Sequence, residues 1–354
     1  MYNIYYIEAD KLSDFINRLE SIYKVFLPAI KDSSPDEIDY YYKVSGDQAP
    51  FIFNEYRLIE PVKSFLNSPL EKVTAYFHQD KNIVDLADKT IIFGLKNCDV
   101  SSFKLQDFVF LEGVEADSLY RLKRENTIFV SGDCTSFKDV CFCMNMDILP
   151  YPTSGFDLNL SPLNDGYLIE VGSGRADELI QEYKEYFALA KETQIASRKT
   201  KREKVAERIK KHLLPQDLPS KDILQRLVKE GYSLDTWQEF MLTCVECGGC
   251  NFICPMCHCF LLGDKRENQQ NEKLRLWDSC QYTNFAKVAG GANPLKARKQ
   301  RFRNRFLKKF DFFMDNLGMP GCTGCGRCIE VCPGKIDLRE VLKDLAKKLN
   351  KAAR

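Results

Sequence analysis

The sequence predicts an N-terminal domain of mixed class (α+β or α/β), followed by a C-terminal, mostly helical domain that is rich in cysteine. Three observations support this division. The chain of 354 residues is longer than a usual single domain. Short β-rich runs alternate with helical stretches in its first half. Of the 15 cysteines, Cys98, Cys134, Cys141 and Cys143 lie in the first half, and the others fall between Cys244 and Cys332.

Composition and charge argue against several classes of protein. The 51 Lys and Arg residues balance the 50 Asp and Glu residues, so the total charge does not favour nucleic acid or an anionic membrane as a partner. No apolar stretch approaches the length of a transmembrane helix, and the N-terminal residues lack the features of a secretion signal. We therefore expect a cytoplasmic chain whose thiols are reduced or metal-bound.

Residues 1–175 are predicted to form the α/β domain, residues 176–240 a helical linker and residues 241–354 the cysteine-rich domain. In the α/β domain, periodicity predicts helices at Leu12–Phe26 and Ser118–Arg124. It predicts strands at Thr90–Phe93, Thr127–Val130 and Tyr167–Val171. In the linker, Ala176–Leu214 contains neither Gly nor Pro, which predicts one long helix or two in series with a basic, exposed face. Further helices are predicted at Lys221–Glu230, Leu234–Thr243 and Leu338–Lys351.

Two cysteine runs with the same spacing, C-x₂-C-x₂-C-x₃-C-P, give the strongest chemical signal. They begin at Cys244 and Cys322 and end before Pro255 and Pro333. In bacterial-type two-cluster ferredoxins, the first three thiolates of such a run bind one [4Fe–4S] cluster and the fourth binds the other. The spacing therefore predicts two clusters. The first cluster would be bound by Cys244, Cys247, Cys250 and Cys332, and the second cluster by Cys322, Cys325, Cys328 and Cys254.

A pair of zinc sites is the alternative, because C-x₂-C repeats also bind zinc. A run of four cysteines followed by Pro, present twice, favours iron–sulfur clusters instead. Two cross-ligated clusters lie close together and leave no iron open to substrate, which suits one-electron transfer. The C-terminal domain is thus predicted to be ferredoxin-like, with residues 255–321 as a large insertion.

Several segments resemble a known family. In the insertion they are CPMCHCF (Cys254–Phe260), WDSC (Trp277–Cys280), AGGANP (Ala289–Pro294) and the basic stretch Arg298–Lys309. Together they resemble the beta subunits of cytosolic sulfhydrogenases and a related iron–sulfur component of anaerobic sulfite reductase. In the first half, NCDV at Asn97–Val100, the segment ending at Cys134, and CFC at Cys141–Cys143 are similar to that family too.

The resemblance implies an electron-transfer subunit of a cytosolic, multi-subunit oxidoreductase. It would transfer electrons, in either direction, between a partner that binds flavin and NAD(P) and a catalytic partner that is hydrogenase- or sulfite-reductase-like. Flavin and NAD(P) would then lie outside this chain, and the chain itself would be non-catalytic. The alternative is a self-contained iron–sulfur reductase that uses an extra cluster as its substrate site.

The cysteines outside the two runs form two sets. Cys98 and Cys134 each follow an apolar strand, so a parallel sheet would bring both to its carboxyl edge. With Cys141 and Cys143 they predict a third [4Fe–4S] cluster, the alternatives being a zinc site or buried thiols. The second set is Cys257, Cys259 and Cys280, with His258 beside two of them. These residues either pack or form hydrogen bonds beside a cluster, or they bind a further cluster.

The basic stretch beginning at Arg298 carries Phe302, Phe306 and Phe310 at helical spacing. This pattern predicts a helix with an apolar face and a basic face. The basic face is interpreted as solvated, with a docking surface for an acidic partner as the first alternative and a contact with nucleic acid as the second.

Overall fold

The computed structural model describes residues 3–31, 38–46, 51–76, 88–267 and 270–352. Two compact units are present. The first comprises Met1–Leu66, Val84–Asp139 and Ile148–Lys210, and the second comprises Asn67–Ile83, Val140–Asp147 and Lys211–Arg354. The chain therefore contributes two short segments of its first half to the second unit.

The strands of the described residues are β1 (Ile4–Glu8), β2 (Lys24–Lys31), β3 (Asp39–Val44), β4 (Leu70–Tyr76), β5 (Thr90–Leu95), β6 (Thr127–Gly132), β7 (Leu158–Pro162), β8 (Gly166–Val171), β9 (Ala188–Leu189), β10 (Phe260–Glu267) and β11 (Gln270–Trp277). The α-helices are α1 (Ala9–Leu19), α2 (Lys63–Leu66), α3 (Asn97–Val100), α4 (Phe103–Leu111), α5 (Ser118–Asn126), α6 (Gly174–Glu182), α7 (Glu192–Leu213), α8 (Leu224–Glu230), α9 (Thr236–Met241), α10 (Gly249–Phe252), α11 (Arg298–Leu307), α12 (Phe313–Leu317), α13 (Arg327–Glu330) and α14 (Leu338–Ala352). A π-helical turn, Lys308–Phe312, joins α11 to α12.

The first unit is built on an eight-stranded mixed sheet with the strand order β3-β2-β5-β6-β7-β8-β1-β9. Strands β2, β5, β6 and β7 are parallel to one another, and the other pairs are antiparallel. Every residue of β6 is buried, as is nearly all of β5, which is typical of parallel strands covered on both faces. The predicted mixed α/β class is therefore confirmed for this part of the chain.

Helix α1 covers one face of this sheet. Its buried residues follow the spacing of a single helical stripe and are Leu12, Phe15, Ile16 and Leu19. The helix ends at Leu19, earlier than the sequence predicts, because the apolar run from Lys24 onward pairs as strand β2 with β5. Strand pairing also explains why the segment Ala176–Leu214 forms two helices and not one long helix. Residues Ala188 and Leu189 form backbone pairs with β1, so α6 and α7 are two separate helices.

The second unit has a small sheet and a helical core. Strands β10 and β11 form a hairpin, and β4 pairs with β11 to give the order β10-β11-β4. In the helical part, the indole of Trp237 is fully buried and contacts the rings of Phe302 and Phe306. Helix α14 adds the buried residues Leu338, Val341, Leu342 and Leu345. Among the helices that the structure describes, none has both the length and the apolar character needed to cross a bilayer.

Candidate metal centre

The two cysteine runs fold into loops of matching conformation. In each loop a glycine with positive φ, Gly248 (74°) or Gly326 (75°), precedes a one-turn helix, α10 or α13. A side chain at Gly326 would lie 2.4 Å from the carbonyl oxygen of Val140, so this position accepts only glycine. The one-turn helices carry Cys250 and Cys328, the third cysteine of each run.

Five cysteines from both runs line one cavity of about 560 Å³, and they are Cys244, Cys247, Cys250, Cys328 and Cys332. Four of these five are the predicted ligands of the first cluster. Cys332, the last cysteine of the second run, thus lies with the first three cysteines of the other run. The backbone N–H of Ile336 donates a hydrogen bond to the sulfur of Cys332 at 3.4 Å.

The predicted ligands of the second cluster also lie close together. Burial raises the pKa of the Cys322 thiol to about 12, with Cys328 and Cys254 acting in the same direction. The backbone N–H of Gly324 lies 3.5 Å from the Cys322 sulfur. Burial likewise raises the pKa of Cys328, whose charged neighbours include Cys254 and Cys325. The structure therefore brings the fourth cysteine of the first run to the second run.

Two cations from the insertion are buried among these sulfurs. The ammonium of Lys309 lies 3.3 Å from the sulfur of Cys254 and donates a hydrogen bond to the carbonyl of Gly321 at 2.8 Å. Arg305 lines the first cavity and donates to the carbonyl of Cys250 at 3.4 Å. Within the described part of the chain, its buried Nε has no hydrogen-bond partner.

The charge of both cations is favoured despite burial. Burial alone would lower the pKa of Lys309, but the sulfurs around it, with that of Cys254 foremost, raise the pKa above its ordinary value. The pKa of Arg305 is raised in the same way, by Cys250 and Cys328 foremost. Clustered thiols, backbone N–H groups directed at sulfur and a buried N–H without a protein acceptor fit a [4Fe–4S] cluster, which binds thiolates and accepts hydrogen bonds at its sulfurs.

The basic stretch of the insertion is the feature whose role is hardest to read in the sequence. The pattern predicts a solvated basic face, yet Arg301, Arg305 and Lys309 are all buried. These residues recur every four positions, as do Phe302, Phe306 and Phe310, so the aromatic face and part of the basic face both point inward. The sequence contains one sign of this burial, because Arg301, Arg305 and Lys309 repeat every four residues just as the phenylalanines do.

The set Cys257, Cys259 and Cys280 lines another cavity, of about 380 Å³. The hairpin explains why these residues meet. Phe260 pairs with Trp277 at its base, and the N–H of Asp278 donates to the carbonyl of Cys259 at 2.9 Å. The amide of Asn251 donates to the sulfur of Cys280 at 3.2 Å and lies 3.8 Å from that of Cys257. Arg305, Lys308 and Lys309 complete this wall.

In the first unit, Cys98 and Cys134 follow neighbouring parallel strands, β5 and β6, as the sequence predicts. The buried ammonium of Lys96 interacts electrostatically with both cysteines and donates to the carbonyl of Asp133 at 3.0 Å. Burial lowers the pKa of Lys96 to about 8, while Cys134 foremost acts to raise it.

Cys141 and Cys143 belong to the second unit, where they accompany the second cysteine run. The thiol of Cys141 lies 3.8 Å from the carbonyl of Cys325, and the N–H of Phe142 donates to the carbonyl of Gly324 at 2.8 Å. Within the described ranges, no three His, Cys, Asp or Glu side chains converge as ligands of a single metal ion would.

Comparison with known proteins identifies the C-terminal part of the chain. Residues 243–336 match a family model described as a 4Fe-4S dicluster domain. The whole chain is similar to the sulfhydrogenase 2 subunit beta of Pyrococcus furiosus, with 29% identity over 342 residues, which cover 96% of this chain and 97% of that protein. The resemblance to sulfhydrogenase beta subunits and the iron–sulfur character of the C-terminal domain are therefore confirmed.

Proposed function

We propose that this protein is the electron-transfer subunit of a cytoplasmic, multi-subunit oxidoreductase. One observation carries the proposal: cysteines from both runs line a single cavity, with Cys332 beside Cys244, Cys247 and Cys250. That arrangement supports crossed ligation of two [4Fe–4S] clusters, the first by these four cysteines and the second by Cys322, Cys325, Cys328 and Cys254. Each bound cluster supplies one-electron redox chemistry.

The chain's own residues would enclose the clusters and leave no iron ligand to exchange. Phe302, Phe306, Ile336 and Leu338 contribute to the walls of the first cavity. Apolar walls limit the access of water and so keep the environment of a cluster constant between its two oxidation states. Cys247 is an exposed ligand, which gives the first cluster an edge from which an electron can pass to a partner.

Two partners are proposed, one that binds flavin and NAD(P) and one that is a catalytic hydrogenase- or sulfite-reductase-like subunit. The support is that the relative from Pyrococcus furiosus is itself named as part of a sulfhydrogenase. The experiment is anaerobic purification of the native complex, followed by mass spectrometry of the intact assembly. Co-purification of a flavoprotein and a catalytic protein is expected, and a chain that purifies alone in active form would contradict the proposal.

The number of clusters is tested by counting iron in the purified chain. Two clusters correspond to about eight irons per chain and three to about twelve. We include a third cluster held by Cys98, Cys134, Cys141 and Cys143, so about twelve is expected. A value near eight would remove the third cluster and leave the electron-transfer function standing. A substantial zinc content would contradict the whole assignment.

A second candidate function is a self-contained reductase that binds substrate at an extra cluster. It is favoured by the cavity in which Cys257, Cys259 and Cys280 face three cations. In that case the chain alone would form sulfide from sulfite, with reduced methyl viologen as the electron donor, and Cys280→Ala would abolish the reaction. An electron-transfer protein is expected to form no sulfide, and its Cys280→Ala variant is expected to keep the iron content of the unmodified chain.

A further inference from the structure

The buried cations Arg305 and Lys309 differ in the cysteines that surround them. Arg305 lines the first cavity together with Cys250 and Cys328, which belong to different clusters in the proposed ligation. Lys309 contacts Cys254 directly and also faces Cys322, and both of these belong to the second cluster. Arg305 is thus shared between the clusters, whereas Lys309 acts on one of them.

The surrounding structure holds both cations in place. Arg305 is on α11, and Lys309 follows one turn later in the π-helical segment Lys308–Phe312. A π-helical turn changes the direction of the side chains that follow it and is frequent at functional sites. The bond from Lys309 to the Gly321 carbonyl joins this turn to the residue just before Cys322. Lys309 is 4% exposed, so water screens its charge little.

A [4Fe–4S] cluster becomes more negative by one charge when it accepts an electron. A fixed positive charge beside it stabilises the reduced form more than the oxidised form, and the effect is large in a buried site. The electron comes from the donor and stays on the cluster, and no bond or proton is exchanged. Lys309 would therefore raise the reduction potential of a cluster bound through Cys254.

We propose that the charge of Lys309 makes the cluster of Cys322, Cys325, Cys328 and Cys254 the more easily reduced of the pair, an inference that rests on the proposed function. Arg305 raises the reduction potentials of both clusters. Electrons entering the chain then come to rest on this second cluster. The insertion between the two cysteine runs thus supplies the direction of electron transfer within the pair.

The test is a potentiometric titration of the purified full chain, followed by electron paramagnetic resonance. The variants are Lys309→Met, Lys309→Gln and, as the conservative change, Lys309→Arg. In both neutral variants, one of the two reduction steps that belong to the cluster pair is expected to shift downward by at least tenfold in electron affinity, or about 59 mV for one electron, while the step of the proposed third cluster stays unchanged. In Lys309→Arg the shift is expected to be much smaller. Arg305→Gln is expected to lower both steps.

The matched control is Lys299→Gln. Lys299 is a partly exposed cation of helix α11, and it does not belong to the lining of either cysteine cavity as the structure describes them. It is expected to leave both steps unchanged.

Unchanged potentials in Lys309→Met or Lys309→Gln, with full iron content, would overturn this inference alone. An equal shift of both steps would also overturn it. A wild-type chain without any cluster signal would overturn the proposed function as well.

Discussion

The guanidinium of Arg202 binds the carboxylate of Asp133 with two hydrogen bonds, of 2.7 and 3.0 Å. Arg202 is on helix α7, and Asp133 directly precedes Cys134 at the end of strand β6. Asn159 adds a third hydrogen bond to Asp133, at 2.9 Å. A helix that the sequence presents as a basic linker is therefore joined to the carboxyl edge of the sheet, next to a cysteine.

Asp133→Asn is expected to destabilise the first unit. The substitution removes the negative charge and leaves the guanidinium of Arg202, which is 13% exposed, without its main partner. Breaking such a buried pair costs about 3 kcal/mol. A lower urea midpoint would show this, with Lys11→Ala as the control. Lys11 forms an exposed pair with Glu8, so its loss is expected to cost less than about 1 kcal/mol. Equal midpoints for Asp133→Asn and Lys11→Ala would contradict the prediction.

Gly324→Ala is expected to impair assembly of the second cysteine run. Gly324 has a φ of 66°, and a Cβ there would lie 2.6 Å from the backbone of Cys143. Gly318 is a matched control, because its φ is 65° and no atom lies within 4 Å of the added carbon. Gly318→Ala is thus expected to cost only the strain of a left-handed residue, about 1 kcal/mol. Iron content should fall in Gly324→Ala alone, and a similar loss in both variants would exclude the steric explanation.

The sequence predicts a good part of this structure for definite physical reasons. The strands near Cys98 and Cys134 are apolar runs buried on both faces, and their type is evident from composition. The C-terminal helix is strongly amphipathic and lies where its periodicity predicts. The cysteine spacing predicts an iron–sulfur domain because a cluster imposes fixed distances along the chain.

The remaining features depend on contacts between distant segments. Strand β4 joins the hairpin of the insertion, and the buried pair between Glu71 and Arg275 links residues far apart in sequence. Nothing local indicates such a pairing. The inward direction of Arg305 and Lys309 is equally hard to predict, since a cation is rarely buried unless negative groups surround it. Those groups are the sulfurs of the two runs, which lie outside the helix itself.

Glu246 provides a test of backbone strain in the first run. It has a φ of 58°, where the second run has Gly324 at the equivalent position, and its carboxylate pairs with the buried guanidinium of Arg301. Glu246→Ala is expected to lower the free energy of unfolding by about 2 kcal/mol, because the ion pair is lost and the strain stays. Glu246→Gly is expected to be about 1 kcal/mol more stable than Glu246→Ala, because glycine adopts this conformation without strain.

Urea unfolding measures both Glu246 variants. Lys335 is the control, being an exposed residue with a φ of 53°. The free energy of unfolding of Lys335→Gly should exceed that of Lys335→Ala by the same increment of about 1 kcal/mol. Neither Lys335 variant should show the additional cost of a lost ion pair. If Glu246→Gly were no more stable than Glu246→Ala, strain at this position would be excluded.

Crossed ligation makes a prediction that differs from the one expected if each run bound its own cluster. Cys332 belongs to the second run, yet Cys332→Ser is expected to alter the same electron paramagnetic resonance signal as Cys244→Ser, because both residues line the first cavity. Cys254→Ser is expected to resemble Cys322→Ser for the converse reason, since Cys254 contributes to the electrostatic surroundings of Cys322. Serine keeps the size of the side chain and binds iron more weakly than a thiolate, so each variant should retain its fold and change one cluster. Spectra that pair Cys332→Ser with Cys322→Ser would mean that each run binds its own cluster with all four cysteines, and Lys309 would then lie beside a ligand of the first cluster and not only the second.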